Sequence, residues 1–435
     1  MNYDQAMALL ARHEPFGMRM RLDVMEALLA RFGNFHHAMK VVHVGGTNGK
    51  GSVTAMVAEA LRRAGHRTGR YISPHLAVFE ERIVVEGRMI ARDDVARGVA
   101  EIEPALEAVA REVAPPTYFE AVTLLALRHF ARKRVDVAVI EVGLGGRLDA
   151  TNVFPKPLAT IVTNVDLEHT KVLGKDVASI AREKVAIARK GVPFATASKG
   201  EALDAILAGA SERGAAPITV VGRDVVVEPV NEDAAGQTFR LRGTRRDHGI
   251  LRTSLAGAHQ IENAALAVVA LDAVDAVGIA VPLRAVAEGL ATTRWPGRLE
   301  RIEGPPALLL DGAHNPAGME ALARHLETRG IAPVLLFGCL DDKDWMAMIL
   351  EIAPRVKAAV ITRPPHAPRA RPERRGPRLQ PGRRRRHHRR GPEARARHGD
   401  RPGRGRRRRA RRGVALSRRR RPSHSRARHR LSEPL

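Results

Sequence analysis

The chain has 435 residues, enough for two or three domains, and 44% of them are hydrophobic, so a sizeable core is available. Its single cysteine excludes a disulfide framework and a cysteine-based zinc cluster. The net charge of +26 comes almost entirely from residues 363–435, which hold 29 arginines, no lysine and four acidic residues. The rest of the chain is nearly neutral, which argues against a generally basic, nucleic-acid-binding body.

The N-terminal region leads directly into helical patterns. Met1–Asp4 does not resemble a signal peptide, and no apolar run reaches the length of a membrane span, so we expect a cytoplasmic protein that has no membrane partner. Residues 4–33 predict two helices around a short loop, because apolar residues recur at helical spacing from Leu22 to Phe32.

The stretch from Val41 to Gly65 predicts a strand, a glycine-rich turn and a helix in that order. The turn, Gly46–Ser52, reads Gly-Thr-Asn-Gly-Lys-Gly-Ser. Glycines let backbone N–H groups point inward at a phosphate, the helix start adds partial positive charge, and Lys50 adds a full one. A nucleotide triphosphate is therefore the first expectation for this turn.

This turn departs from the general phosphate-loop pattern at two positions. Val44 stands where the pattern has glycine, and Gly51 stands where it has a serine or threonine directly after the lysine. A glycine-rich turn that only joins a strand to a helix is the alternative. We favour the phosphate site because a lysine and a hydroxyl accompany the glycines.

After the strand at Val41, two more segments of the sequence are predicted strands, and each leads to a candidate functional side chain at the same sheet edge. Asp136–Glu141 is a buried parallel strand that ends in a carboxylate, which makes Glu141 a candidate metal ligand. The glycine-rich run after it has no lysine and no helix, so we do not interpret it as a second phosphate site. Leu158–Asn164 is a third strand and leads to His169, which could otherwise simply cap a loop.

The remaining segments alternate between helical and extended patterns. Polar residues at a helix start from Gly257 to Asn263 could be caps, and Pro-Gly in Trp295–Arg298 predicts a hinge. The expected helices are 93–113, 118–133, 179–189, one that 257–263 opens and that runs to 277, and 316–326. Small antiparallel strands are expected in 215–256 and later strands at 307–310, 334–338 and 356–362.

Several motifs together resemble the folylpolyglutamate synthase and dihydrofolate synthase family of Mur-ligase-like amide ligases. They are Gly46–Ser52, Ser73–His75, the run from Glu141 to Asn152 and Asp311–Pro316. The resemblance covers about Phe16 to Thr362. It implies an α/β fold: an N-terminal P-loop Mur-ligase-like domain with a parallel sheet over 1–294, and a smaller, incomplete Rossmann-like C-terminal domain over 295–362.

The same resemblance implies that ATP and Mg²⁺ are the cofactors, and it assigns the site residues. For ATP it implies Thr47, Asn48, Gly49, Lys50, Gly51, Ser52, Asn263, Arg298 and Asp311, with Gln260 as a further candidate. For magnesium it implies Ser73, Glu141 and His169. Lys50, Lys184 and His314 would be catalytic, with Lys184 carbamylated and His314 in the interdomain cleft.

For the pterin-bearing substrate the resemblance implies Phe16, Gly17, Met18, Tyr118, Phe119, Glu120, Leu148, Asp149 and Ala150. Without the resemblance, Tyr118 and Phe119 read equally well as core packing, and Glu120 as a helix-terminal charge. The implied reaction joins L-glutamate to dihydropteroate or to a reduced folate through an acyl phosphate. Another Mur-type amino-acid ligase is the alternative enzyme, and we expect a monomer with small-molecule partners.

Residues 363–435 depart from the family. Arginine, proline and glycine dominate and no core-forming periodicity is left, so we expect disorder. A basic tail could bind nucleic acid through its phosphates, on a catalytically impaired protein. A GC-rich gene read in the wrong frame gives the same composition, and we favour that reading because the family needs further strands and helices here. We therefore expect no specific nucleic-acid partner.

Overall fold

The computed structural model describes residues 1–362 apart from 18, 234–235, 244 and 341–342. Met18 and the predicted tail, 363–435, therefore lie outside the described residues. No helix in the described part of the chain is long and apolar enough to cross a membrane.

An eight-stranded sheet forms the centre of the structure. Its strands are β1 (Val41–Gly45), β2 (Thr68–Tyr71), β3 (Ile83–Val85), β4 (Arg88–Met89), β5 (Val137–Glu141), β6 (Ala159–Val162), β7 (Phe194–Thr196) and β8 (Ile218–Val220). They lie in the order β4-β3-β2-β5-β1-β6-β7-β8. Pairing is parallel from β2 to β8, and only β3 and β4 run antiparallel to their neighbours. The predicted parallel α/β sheet is confirmed.

Helices cover both faces of this sheet. They are α1 (Tyr3–Ala11), α2 (Asp23–Ala30), α3 (Lys50–Arg63), α4 (Arg92–Glu112), α5 (Tyr118–Arg132), α6 (Thr170–Leu173), α7 (Val177–Val185), α8 (Gly200–Glu212), α9 (His259–Ala276) and α10 (Leu283–Thr292). On one face α3 and α9 pack on the aliphatic side chains of β1, β5 and β6. On the other face α1, α2, α4 and α5 build a second core.

The register of the central strands determines where the site lies. β1 pairs with β5 on one side and with β6 on the other, so Val44 lies beside Glu141 and Gly45 beside Val162. Every residue of β1 and β5 is buried, as expected of strands covered on both faces. The turn after β1, the carboxylate that ends β5 and the loop after β6 therefore meet at one sheet edge.

The antiparallel strands expected within 215–256 are only partly as predicted. β9 (Val226–Asp233), β10 (Gly236–Arg242) and β11 (Asp247–Thr253) form a three-stranded antiparallel sheet. β8 instead extends the central sheet, because it pairs in parallel with β7. Short strands with one polar face do not reveal from sequence which neighbour they pair with.

The C-terminal elements build a smaller α/β unit. They are β12 (Glu300–Ile302), β13 (Leu308–Leu310), α11 (Pro316–Thr328), β14 (Val334–Phe337), α12 (Trp345–Ile352) and β15 (Ala358–Ile361). β12 pairs antiparallel with β13, and β14 pairs parallel with β15, so the described strands here form two separate two-stranded sheets. The core is small, with Met319, Leu326, Phe337, Met348 and Ile352 at its centre. All described residues belong to one unit, Met1–Arg369.

Candidate active site

The turn between β1 and α3 is held in place by the loop that follows β6. Asn164 accepts the backbone N–H of Thr47 on its carbonyl (2.8 Å) and that of Asn48 on its side-chain oxygen (2.8 Å). The Thr163 hydroxyl donates to the Asn48 carbonyl at 2.6 Å. The turn lines a cavity, and the helix that starts at Lys50 directs its N-terminus toward this cavity. A helix N-terminus favours an anion.

Neighbouring atoms leave no room for a side chain at two glycines of this turn. A Cβ on Gly46 would lie 1.8 Å from the Thr163 hydroxyl, and one on Gly49 would lie 2.3 Å from the side-chain oxygen of Asn263. Both residues also have positive φ, 132° and 84°. The Lys50 ammonium folds back onto the carbonyls of Gly46 (3.0 Å) and Thr47 (2.9 Å), which keeps its charge at the turn.

Glu141 ends β5 inside this cavity. Only 5% of the residue is exposed, and burial raises the pKa of its carboxyl to about 7 against the opposing charges of Lys50 and Arg298. A buried carboxylate in that state gains from a nearby cation. Ser73 and His169 line the same cavity, and burial lowers the pKa of His169, so its ring is neutral at neutral pH.

The described residues contain no group of three His, Cys, Asp or Glu side chains arranged to hold a metal. The predicted set has only two such side chains, Glu141 and His169, and its third member is the hydroxyl of Ser73. A hydroxyl and a carboxylate are hard oxygen donors, which Mg²⁺ prefers, and Mg²⁺ keeps several waters or phosphate oxygens as its other ligands. The buried, under-compensated carboxylate of Glu141 therefore fits a cation.

Lys184 enters the cavity from α7. It is 2% exposed, and its ammonium donates to the Gly46 carbonyl at 2.8 Å. Burial and the charge of Lys50 together lower the pKa of Lys184 to about 7. At neutral pH a large fraction of this amine is therefore neutral and nucleophilic.

The region after α10 also contributes residues to the lining of the cavity. Arg298, Asp311 and His314 line it, and Asn263, the fifth residue of α9, joins them. Both Asp311 oxygens accept backbone N–H groups, from Leu299 (2.9 Å) and Ala313 (2.8 Å), so this carboxylate shapes the segment around Arg298. Burial raises the pKa of Asp311.

All predicted nucleotide, metal and catalytic residues thus surround one cavity of about 260 Å³. The residues brought together are Thr47, Asn48, Gly49, Lys50, Gly51, Ser52, Ser73, Glu141, His169, Lys184, Asn263, Arg298, Asp311 and His314. Gln260 also lines it and accepts a 3.0 Å hydrogen bond from the Asn263 amide.

Glu168 is a site residue that the sequence reading did not select. Its carboxylate lies 3.2 Å from Nε2 of His314 and 3.5 Å from Nε2 of His169. Burial alone would raise the pKa of Glu168, but the hydrogen bond from His314 and the charges of Lys50 and Lys184 bring it down to about 2. Its position beside His169 in the sequence was the available signal.

A direct contact also joins the phosphate turn to the N-cap residue of α11. The Asn315 amide donates to the side-chain oxygen of Asn48 at 3.0 Å, while the Asn315 oxygen caps α11 at the N–H of Gly318 (2.8 Å). Together with the contact between Glu168 and His314, this pair connects the central sheet to the C-terminal elements across the cavity.

A second cavity of about 270 Å³ shares Ser73, Pro74, Gly143 and Leu144 with the first. The predicted substrate residues that line it are Gly17, Tyr118, Phe119, Glu120, Leu148, Asp149 and Ala150. Phe16 does not line it; its ring lies 5.5 Å from the Arg19 guanidinium instead. Met18 lies outside the described residues.

Two buried carboxylates line this second cavity, and they differ in how many of their oxygens accept a hydrogen bond. Asp149 accepts from the N–H groups of Leu144 (2.8 Å) and Thr151 (2.9 Å), so both of its oxygens are engaged. Oε2 of Glu120 accepts from the Thr117 N–H (2.6 Å) and hydroxyl (2.7 Å) at the start of α5. Oε1 of Glu120 is buried and has no partner among the described residues.

The fold and this site define a class of protein, the Mur-type ATP-dependent ligases. The chain matches the Mur ligase middle domain over residues 44–271 and the glutamate ligase domain of Mur ligases over residues 297–393. It is 37% identical to dihydrofolate synthase/folylpolyglutamate synthase of Bacillus subtilis, over 80% of this chain and 82% of that protein.

Solved structures agree with this match. The crystal structure of folylpolyglutamate synthase from Thermotoga maritima superposes with a TM-score of 0.74 at 35% identity and covers 83% of both chains. A folylpolyglutamate synthase in complex with AMPPCP and folate gives a TM-score of 0.77 at 31% identity, covering 83% of this chain and 89% of that one. The chain belongs to the folylpolyglutamate synthase/dihydrofolate synthase family of ATP-dependent ligases.

Proposed function

We propose that this protein joins L-glutamate to dihydropteroate, to a reduced folate, or to both, with hydrolysis of ATP. The observation that carries this proposal is the adjacency of two cavities. One is lined by a phosphate turn and buried charged groups, and the other by aromatic side chains and the acidic residues Glu120 and Asp149, with four residues common to both. The names of the relatives and the folate and AMPPCP of the matching complex support the same reaction.

ATP binds with its phosphates on residues 46–52. The N-terminus of α3 and the Lys50 ammonium supply positive charge there, and Arg298 supplies more from the other side of the cavity. Gln260 and Asn263 at the start of α9 contact the remainder of the nucleotide. The matching complexes with AMPPCP and ADP support ATP as the nucleotide.

Ser73, Glu141 and His169 hold Mg²⁺ in this proposal. Bound there, the ion would neutralise the charge that develops on the transferring phosphoryl group. Lys184 is the residue that we propose to be carbamylated, because addition of CO₂ requires a neutral amine and the pKa of Lys184 is lowered to about 7. In the carbamate the Lys184 side chain carries a negative charge beside the Gly46 carbonyl.

The pterin ring occupies the second cavity. Oε1 of Glu120 is a buried acceptor with no partner among the described residues, and the N–H edge of a pterin ring would satisfy it. Tyr118 and Phe119 provide flat apolar surface beside it, and Arg82 lies 5.7 Å from the Tyr118 ring. The substrate then extends past Ser73 and Gly143 toward the phosphates.

The reaction proceeds in two balanced steps. A carboxylate oxygen of the pterin substrate attacks the γ-phosphorus of ATP, and the bond from that phosphorus to the bridging oxygen breaks, giving an acyl phosphate and ADP. The glutamate amine then attacks the acyl carbon, inorganic phosphate leaves, and the amine loses a proton. Lys50 and Arg298 stabilise the charge that moves between phosphates, and His314, which lies against Glu168, closes the cavity around the intermediate.

Residues 1–294 form the ATP-binding domain and 295–362 the ligase domain in this proposal, and the protein acts as a monomer. The hinge expected at Trp295–Arg298 lies between α10 and β12, which supports this boundary.

Phosphate release by the full 435-residue chain tests the function. We expect release that requires ATP, L-glutamate and either dihydropteroate or tetrahydrofolate, and the better pterin identifies the main step. Lys50→Ala should lower the rate by a factor of about 100 or more, since it removes the charge closest to the phosphates. Lys156→Ala removes an exposed lysine and should match the parent. Equal rates in Lys50→Ala and the parent would contradict the site assignment.

Two further measurements test the finer steps. Hydroxylamine supplied in place of glutamate should trap the acyl phosphate as a hydroxamate of the pterin substrate, with one ADP formed for each. Labelling with ¹³C-bicarbonate should give a carbamate carbon signal that is absent from Lys184→Arg. ATP turnover without any hydroxamate would contradict the acyl phosphate, and an unchanged signal in Lys184→Arg would contradict the modified lysine.

A further inference from the structure

Trp295 lies directly on the phosphate turn. A Cβ on Gly51 would be 2.5 Å from Cζ2 of the indole, so the ring packs against the backbone of this glycine in the first turn of α3. The chain just before Trp295 is also fixed to α3, because Thr292 contacts the Glu59 carboxylate at 3.3 Å. Three residues after Trp295 comes Arg298, which lines the nucleotide cavity.

Arg70 presses on the indole from β2. Its guanidinium carbon lies 5.1 Å from the Trp295 ring centre, close enough for a cation–π contact. Arg70 itself is held by strand pairing on both sides, beside Val84 of β3 and Val139 of β5. Its base is therefore part of the rigid central sheet.

The charge of Arg70 also acts on nearby carboxylates, among them Glu141 of the nucleotide cavity. Its Nε is buried and has no hydrogen-bond partner in the described part of the chain. Glu141, Glu59 and Glu81 are the carboxylates whose charges act on it. It does not line the nucleotide cavity, so it has no direct route to the phosphates. The contact that its guanidinium makes with the Trp295 ring is therefore its nearest connection to the phosphate turn.

We propose that Arg70 is a positioning residue for ATP: by stacking on Trp295 it holds the indole against Gly51 and so fixes both the phosphate turn and the segment that carries Arg298. With a cation over the ring and the Gly51 backbone against its Cζ2, Cε2 and Nε1 atoms, the indole has little room to move. This inference rests on the ATP binding proposed above.

Trp295 emission and nucleotide affinity together test it. The chain has two tryptophans, so Trp345→Phe leaves Trp295 as the only one in an otherwise full-length protein. In that parent we measure acrylamide quenching of Trp295 and, by calorimetry with Mg²⁺ present, the Kd of AMPPCP. Arg70→Met keeps side-chain length and removes the cation. We expect stronger quenching, an AMPPCP Kd raised by about fivefold to tenfold, and an unchanged KM for the pterin substrate.

Arg128→Met is the matched control, because Arg128 stacks on Phe32 at 4.5 Å and neither residue lines the nucleotide cavity. Its loss should leave the AMPPCP Kd unchanged. If Arg70→Met does not melt cooperatively, Arg70→Gln, which is also neutral but polar, takes its place in the same measurements with the same expected changes. A Kd in the Arg70 variant within twofold of the parent overturns the inference, whatever the quenching shows. Failure of the parent itself to bind AMPPCP overturns the proposed function and this inference with it.

Discussion

The position of Trp295 explains why residue 51 is glycine and not the serine or threonine that usually follows the lysine of a phosphate loop. The indole of Trp295 occupies the space that any side chain at this position would need. Ser52, one residue later, carries a hydroxyl, is 3% exposed and lines the cavity. The departure from the general pattern is therefore a packing consequence of a residue more than 240 positions away in the sequence.

Gly51→Ala should weaken nucleotide binding. The added methyl group forces the indole away from the turn and disturbs the contact between the indole and Arg70. We expect the Kd of AMPPCP to rise by about tenfold, although alanine by itself favours a helix by about 1 kcal/mol over glycine. Calorimetry measures the Kd, and a red shift of Trp295 emission should accompany the change. Parent-like affinity in Gly51→Ala would show that the turn tolerates a side chain there.

Lys184 should make the stability of the protein depend on pH. Burial and Lys50 lower its pKa from 10.5 to about 7 in the folded state. Between these values the unfolded chain binds more protons, so the free energy of unfolding rises with pH across this window, and the cost of burying the charged amine is fully present below pH 7. We expect a slope of up to about 1.4 kcal/mol per pH unit from this residue.

Urea denaturation in CO₂-depleted buffer at several pH values above 7 measures that slope. Lys184→Met should lose this slope. It should also be more stable than the parent at pH 7, because the variant buries no charged amine. Lys190→Met removes an exposed lysine of the same region and should keep the parent slope. Identical slopes in the parent and Lys184→Met would mean that this amine is not buried as described.

At the scale of elements, Asn315 serves the start of α11 and the phosphate turn at once. Its oxygen caps Gly318 and its amide bonds Asn48. Asn315→Ala should cost about 1 kcal/mol of stability through the lost cap. Asn315→Asp keeps the capping oxygen and should cost less, while both variants lose the amide donor to Asn48. Urea denaturation measures the difference, and Glu320→Ala on the exposed face of α11 is the control. Equal losses for the two Asn315 variants would contradict the capping role.

The elements and many site residues could be predicted from sequence because their signals are local. The strand Val41–Gly45, the turn after it and Glu141 at the end of β5 follow from residue order and from the rule that parallel strands present ligands at their carboxyl ends. Glu168 and Trp295 were not selected as site residues because their roles come from contacts with His314 and Gly51, which are distant in sequence. Pairing of β8 with β7 was missed because a short strand with one polar face does not reveal its neighbour from sequence.

At the scale of the whole molecule, the central sheet and the C-terminal elements differ in burial. β1 and β5 are buried at every residue, whereas Val334 and Leu336 of β14 are 63% and 72% exposed, and Ile361 of β15 is 64% exposed. The C-terminal core is also the smallest in the described structure. Since local opening is resisted mainly by buried apolar contacts, the C-terminal strands should open at a lower free energy than the central ones.

Hydrogen exchange read by mass spectrometry measures this difference. Without nucleotide, amides of β13, β14 and β15 should exchange faster than those of β1 and β5. AMPPCP with Mg²⁺ should slow exchange in β13 and α11, because Arg298, Asp311 and His314 from that region line the nucleotide cavity and an opening that releases the ligand loses its binding energy. At a ligand concentration 100 times the Kd, that stabilisation is about 2.7 kcal/mol. The Lys50→Ala variant under the same conditions is the control and should show little protection. Protection confined to α3 and β5 would mean that nucleotide binds without engaging the C-terminal elements, and Arg298 and Asp311 would then have no part in holding ATP.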